Sequence, residues 1–300
     1  MRIFLAGATT YIGWAVLDAC LRAGHQVTAL VRDARSAALV KAKGAACVLG
    51  DPGDGAAWQG VAEKHDGLVH TAYEHSPRGS ELDRRVLDAL LAAARAYHEQ
   101  PRVLVYTSHI WVLGSTRGVA AEDQPPAPLE VAAWRTAHEA LVLDAAGPAL
   151  RTAVVRAGIV YGGGRGIVSD LLKAGANGLV RIVGDGRNHW ALVYDRDLAD
   201  LYVRILGGPG AAGIFHANDE GDERVIDIAE AIARSAKTPA DIRHIPIEEA
   251  RAKMGPIAEA LAADQIVRSA RARAIGWMPA LRSVAGNVPR LMEEWRRAQE

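Results

Sequence analysis

The stretch MRIFLAGATTYIG at residues 1–13 constrains this chain more than any other. A short apolar run, Ile3 to Ala6, passes into Gly7-Ala8-Thr9-Thr10-Tyr11-Ile12-Gly13 and then into a helical pattern. Strand, tight turn and helix start in that order make a cradle for a dinucleotide pyrophosphate. The turn lets the backbone come close, and the free N–H groups and positive end of the helix dipole face the phosphates. At the head of an alternating strand–helix chain, the turn predicts dinucleotide contacts from Gly7, Thr9, Thr10, Tyr11, Ile12 and Gly13.

Hydrophobic periodicity carries the alternation onward. Strands are predicted at Gln26–Val31, Ala46–Leu49, Leu68–Thr71, Arg102–Ser108 and Arg151–Val155. Helices are predicted at Ala34–Ala42, Ala56–Lys64, across Leu82, Val86, Leu90 and Ala93, and at Leu129–Ala145. Such alternation implies right-handed crossovers and a parallel sheet covered on both faces. The fold class expected is α/β, a Rossmann-type doubly wound sheet. After Val160 the pattern changes, with Gly162-Gly163-Gly164 and Gly184-Asp185-Gly186 bracketing a short helix and a short strand. Asp197–Leu206 reads as a helix, Ile214–Ala217 as a strand returning to the sheet, and Val225–Ser235 and Val284–Arg297 as helices. The expected division is a nucleotide domain over 1–160, with 197–218 returning to it. A smaller, mainly helical substrate lobe takes 161–196 and 219–300.

Composition narrows the function classes. The 35 basic residues balance 35 acidic ones, so nothing steers the chain toward nucleic acid or an anionic membrane surface. The two cysteines, Cys20 and Cys47, have neither metal-ligand spacing nor a disulfide framework, and no metal is expected. No signal-peptide pattern opens the chain, and no apolar run approaches the ~20 residues of a membrane span. A cytoplasmic protein acting on a small molecule is the expectation.

Cofactor choice depends on the end of the second strand, where NAD enzymes usually place a carboxylate for the ribose 2′-OH. Here Val31 and Arg32 stand there. A guanidinium suits a 2′-phosphate, so NADP(H) is preferred and NAD(H) remains possible; alternatively Arg32 is a solvated strand-end charge. Asp51, after the third strand, either accepts a hydrogen bond from the adenine amino group or caps its own Asp-Pro-Gly-Asp turn.

The chain resembles the extended or atypical short-chain dehydrogenase/reductases, the epimerase/dehydratase-like group. The resemblance rests on the opening turn, Gly50-Asp51, His70-Thr71-Ala72, Val105-Tyr106-Thr107-Ser108 and Arg156-Ala157-Gly158-Ile159-Val160-Tyr161-Gly162. It continues through Asp195-Arg196-Asp197-Leu198-Ala199 and Ile275-Gly276-Trp277-Met278-Pro279. It implies cofactor contacts from Thr71, Ala72 and Tyr73, from Thr107 and Ser108, and from Ala157 and Gly158. It also implies that two long helices, Leu82–Tyr97 and Leu129–Ala145, resemble those that pair across a two-fold axis in family dimers.

The departures from the family pattern bear on mechanism. Thr10 replaces the middle glycine of Gly-x-x-Gly-x-x-Gly, which either narrows the phosphate site or adds a hydroxyl contact. The family's Tyr-x-x-x-Lys pair is missing from the expected helix. One register sets Val131 and Arg135 at those positions, with Glu139 where the family often has glutamate; another sets Trp134 and His138 there. His109 falls at the usual serine position. Candidates to replace the proton relay are His109, as a general acid with a pKa near neutrality, Arg135, as a fixed cation, and Tyr161, facing the cleft. His75, Trp111, Arg187, His189 and Trp190 are candidates to shape the substrate pocket. The leading expectation is an NADP(H)-dependent oxidoreductase of a small carbonyl or hydroxyl substrate. The alternatives are a non-catalytic NADP(H) sensor or scaffold and a non-redox lyase or isomerase.

Overall fold

The structure is a computed structural model describing residues 1–96, 99–236 and 239–299. Among these residues seven strands form one parallel sheet. In chain order they are β1 (Arg2–Ala6), β2 (Gln26–Val31), β3 (Ala46–Leu49), β4 (Gly67–His70), β5 (Arg102–His109), β6 (Leu150–Ala157) and β7 (Gly213–Ala217). Their spatial order is β7-β6-β5-β4-β1-β2-β3. The order reverses between β1 and β4, and the carboxyl ends of those strands open a crevice there, the position at which doubly wound sheets bind ligands.

Strand alternation fills both faces of the sheet. Ile3 and Leu5 enter one core with Val69, Val105 and Val155. That side is covered by α1 (Tyr11–Arg22), α2 (Ala34–Ala42) and the later helix Asp195–Gly207. Phe4 and Ala6 enter the opposite core with Leu68, Leu104 and Val154, beneath α3 (Gly79–Arg95) and α4 (Ala133–Asp144). The strands buried on both faces read as nearly continuous apolar runs, as parallel sheets require.

Three segments depart from the sequence reading. The helix expected over Val284–Arg297 is a 3-10 turn, Ala285–Asn287, leading into a helix over Val288–Arg297. The helix expected over Ala56–Lys64 is a 3-10 turn, Gly55–Ala57, followed by a single helical turn, Gln59–Ala62. Trp58 leaves the helical region because its indole stacks on Phe4 at 5.5 Å and donates to Asp51 O at 3.2 Å. The Leu129–Ala145 helix is likewise a 3-10 turn, Glu130–Ala132, leading into α4. The far end of the long helix assigned to Leu82–Tyr97 includes Tyr97, which lies outside the described residues.

After β6 the chain leaves the main sheet. Ile159–Tyr161 pairs with Leu192–Tyr194 in a separate two-stranded piece, and a third core forms from Ile159, Tyr161, Trp190, Ile228, Ile232 and Leu291. Asp197 fastens the C-terminal segment: its carboxylate accepts from Leu281 N at 2.9 Å and its carbonyl from Trp277 Nε1 at 2.7 Å.

Candidate functional site

The opening turn is held by two glycines and one threonine. Gly7 has φ +92°, and a Cβ there would stand 2.5 Å from Ala72 Cα. At Gly13 a Cβ would run into Gly7 O and lie 2.6 Å from Thr71 Oγ1. Both positions therefore exclude a side chain. Thr10 does not: its hydroxyl faces inward, donates to Gly7 O at 2.8 Å and accepts from Gly13 N at 3.1 Å. It is the N-cap of α1, so the departure from the glycine pattern stabilises the turn rather than obstructing it. Thr71 Oγ1 donates to Ala6 O at 3.0 Å and binds the turn to β4.

Above this turn lies a cleft of about 190 Å³, lined by Gly7, Thr9, Thr10, Arg32, Ala72 and Tyr73 among others. It continues outward into a hollow of about 370 Å³ that includes Asp51, Gly53 and Arg78. Asp51 Oδ1 accepts from Gly53 N at 2.8 Å, so it caps its turn while lining that hollow. Tyr11 lies elsewhere: its hydroxyl donates to Gly162 O at 2.7 Å, and its ring lines a separate groove with Trp14 and Arg165. Ile12 packs against the core beneath α1.

Tyr73 carries the cleft wall toward an aromatic and cationic rim near β5, whose Arg135, His75, His109 and Trp111 lie outside the cleft lining itself. Arg135, on α4, donates from Nη1 to Thr107 O at 3.1 Å. Its guanidinium lies 4.3 Å from the Trp134 ring centre and 5.1 Å from that of Tyr73. Tyr73 in turn stacks near Trp134 and meets His75 edge-on at 4.6 Å. These contacts fix the cation in one place.

His109 ends β5 and packs against Trp111, the ring centres 4.0 Å apart and the planes tilted by 33°. Trp111 N donates to His109 Nδ1 at 3.1 Å, which places the ring proton on Nε2. Burial, and then the Arg135 cation, push the imidazole pKa down to about 3. This corrects the expectation of a general acid titrating near neutrality: desolvation and a neighbouring positive charge both oppose the imidazolium. His109 is a neutral ring with an Nε2–H to offer.

Below the rim two buried polar groups join α4 to the rest. Glu139 accepts two bonds from Arg156 Nε, at 3.1 and 3.2 Å, and one from Nη2 at 2.7 Å. His138 Nδ1 donates to Asp83 Oδ2 at 2.7 Å, and Tyr106 OH donates to the same oxygen at 2.9 Å. Both His138 and Glu139 are thus committed inside the protein. Thr107 Oγ1 lies 2.6 Å from both His70 O and Tyr202 OH, which makes it a strut. Ser108, buried beside Arg156 in the β5–β6 register, makes no side-chain hydrogen bond among the described residues. Ala157 is buried, and Gly158 packs against Ala191 O, where a Cβ would stand at 2.6 Å.

Tyr161 does not face the cleft. It is fully buried, with its hydroxyl 3.0 Å from Asp219 Oδ2 and 2.9 Å from Leu281 O. Burial, with Asp219 beside it, raises its pKa far out of the working range. The physical reason is the change of sheet after Gly158, which turns Tyr161 into the third core. Arg187, His189 and Trp190 also lie apart from the cleft lining. Arg187 is solvent-exposed beside Asp185, His189 Nδ1 bonds Asp264 Oδ1 at 2.8 Å, and Trp190 Nε1 donates to Leu261 O at 2.9 Å. A Gly-Asp-Gly turn followed by His and Trp reads the same in sequence whether it lines a pocket or closes a hairpin.

The burial of Asp219, whose effect the Tyr161 hydroxyl opposes, has a measurable consequence. Burial pushes the Asp219 carboxyl up to about 7, against the opposing bond from Gly221 N at 2.9 Å. Between an unfolded value of about 4 and that folded value, the folded state binds more protons, so stability falls as pH rises across that window, by at most roughly 4 kcal/mol. Asp219→Asn keeps the shape without the charge. Its melting temperature is expected to exceed the parent's at pH 8 and to converge with it near pH 4; an equal gap at both would contradict the shift.

Fold and cleft together define a doubly wound α/β protein with a dinucleotide cradle at the β1 carboxyl end. The chain belongs to the NAD dependent epimerase/dehydratase family, whose sequence profile it matches over residues 3–216. It is 31% identical over 292 residues to an uncharacterised protein of Schizosaccharomyces pombe, covering 93% of this chain and 95% of that one. It is 27% identical over 262 residues to a 4-hydroxy-2-methyl-3-oxo-4-farnesyl-3,4-dihydroquinoline-1-oxide ketoreductase of Stigmatella aurantiaca, covering 84% and 78%. The human epimerase family protein SDR39U1, solved with NADPH, shares the fold with a TM-score of 0.80 at 20% identity, covering 98% of this chain and 99% of that one. Among the described residues no helix is long and apolar enough to cross a membrane.

Proposed function

We propose that this protein is a cytoplasmic NADP(H)-dependent oxidoreductase of a small carbonyl or hydroxyl substrate. His109 acts in it as a neutral hydrogen-bond donor and Arg135 as a fixed cation. The observation that carries this reading is the Trp111 N–H bond to His109 Nδ1, which leaves Nε2–H as the ring's donor next to the Arg135 guanidinium. The chain residues that would hold the cofactor are suited to it. Gly7 and Gly13 clear the backbone for a pyrophosphate, and Arg32 stands where a 2′-phosphate would sit. The ketoreductase relative supports a carbonyl substrate, and the NADPH-bound human neighbour supports the cofactor.

When bound, the nicotinamide supplies or accepts hydride. The chain's own contribution is electrostatic. Nε2–H of His109 and the Arg135 guanidinium converge on the substrate oxygen and stabilise the negative charge that develops there. Because His109 stays neutral, the oxygen exchanges its proton with solvent rather than with an imidazolium. Arg135 also takes the place of the family lysine at a ribose hydroxyl. Tyr73, His75 and Trp111 border the substrate, and the lobe of 161–196 and 219–300 closes the far side.

The test is fluorescence titration with NADPH and with NADH, followed by NADPH consumption over a panel of aldehydes, ketones and enones. The expected result is micromolar NADPH binding, weaker NADH binding, and turnover with at least one carbonyl class. Absence of binding to either dinucleotide at millimolar concentration would overturn the proposal. Tight NADPH binding without turnover across the panel would replace the enzyme with a sensor.

A further inference from the structure

The guanidinium that would meet a 2′-phosphate is already engaged. Arg32 Nη2 donates to Glu74 Oε2 at 3.0 Å, and Glu74 Oε1 accepts from Ser76 Oγ at 2.8 Å. Arg32 follows β2 and Glu74 lies on the loop after β4, so the pair spans the groove from one wall to the other. Both side chains line the inner cleft and the outer hollow alike, and they mark the boundary between the two. The Ser76 bond first, and Arg32 second, hold the Glu74 carboxyl below its ordinary range, so it is ionised at neutral pH.

We infer that Glu74 is a specificity-determining residue, a carboxylate that competes with the cofactor's 2′-phosphate for Arg32 and thereby sets the preference between NADPH and NADH. The inference rests on the proposed assignment of Arg32 to that phosphate. A guanidinium fork serves one anion well, and two anions sharing it repel each other. NADPH must therefore exchange its phosphate for the Glu74 carboxylate, whereas NADH leaves the pair intact and can donate its 2′-OH to Glu74. The acid nearest the end of β2, Asp33, also lines the cleft but caps α2 by accepting from Ser36 N at 2.7 Å, so the carboxylate paired with Arg32 comes from the loop after β4.

The experiment is a set of dissociation constants for NADPH and NADH with the parent, E74Q, R32A and the R32A/E74Q double variant. Both residues are partly exposed, so the substitutions leave the core untouched. E74Q is expected to tighten NADPH by about fivefold, the upper range for an exposed ion pair, while NADH is unchanged or weaker. R32A is expected to weaken NADPH about tenfold or more, and in its background E74Q should change NADPH by less than about twofold. If R32A weakens NADPH but E74Q shifts both cofactors equally or neither, the competition is refuted and the Arg32 assignment stands. If R32A leaves the NADPH preference unchanged, the Arg32 assignment fails and the competition with it.

Discussion

Gly13→Ala is expected to weaken NADPH binding by about 100-fold or more and to lower the melting temperature by several degrees. Helix propensity argues the other way, because alanine within a helix is favoured over glycine by about 1 kcal/mol. Contacts decide the outcome. The new Cβ would collide with Gly7 O and lie 2.6 Å from Thr71 Oγ1, and neither atom can retreat. Gly7 O holds the Thr10 hydroxyl, and Thr71 Oγ1 is bonded to Ala6 O. The start of α1 must move instead, at an overpacking cost of about 1–3 kcal/mol. A shift near 1 Å there displaces the N–H groups from any phosphate. Gly60→Ala is the control: it too lies in a helical turn, with nothing within 4 Å of its added methyl, and should be neutral or slightly stabilising. Equal behaviour of the two variants in stability and NADPH affinity would refute the cradle.

What could be read from sequence was whatever is specified locally. Ile3 to Gly13 forms strand, turn and helix because each residue's choice depends on neighbours a few positions away. The bounds of β2, α2 and β3 follow for the same reason, from periodicity with Asp33 capping and Gly44 ending the helix. Where a distant partner decided, the reading failed. Trp58 broke the Ala56–Lys64 helix to reach Phe4, and Tyr161 followed a strand that left the main sheet for Leu192–Tyr194.

The candidate site shows the same division. The placement of His109 at a strand end was legible, but its charge state was not. That depends on a backbone N–H two residues on, on burial, and on an arginine brought by another helix. The buried His138–Asp83 contact joins α4 to α3 across 55 positions, and no spacing rule reaches that far. The Arg32–Glu74 pair was missed for the same reason, although Glu74 directly follows the His70-Thr71-Ala72-Tyr73 run that marked the loop.

The central claim is that a neutral His109, together with Arg135, stabilises charge on the substrate oxygen. Loss of one such preorganised donor typically costs about 10²–10³ in kcat. The effect should fall on kcat, because the interaction strengthens as the oxygen becomes negative, and the KM for NADPH should change little. The decisive measurement is kcat as a function of pH, for the parent and for His109→Ala, with whichever carbonyl substrate the panel yields. The account predicts a drop of about 100-fold in His109→Ala and no inflection in the parent near the ordinary histidine pKa of about 6.5. Full activity in His109→Ala, or a parent inflection near neutrality that the substitution abolishes, would contradict it.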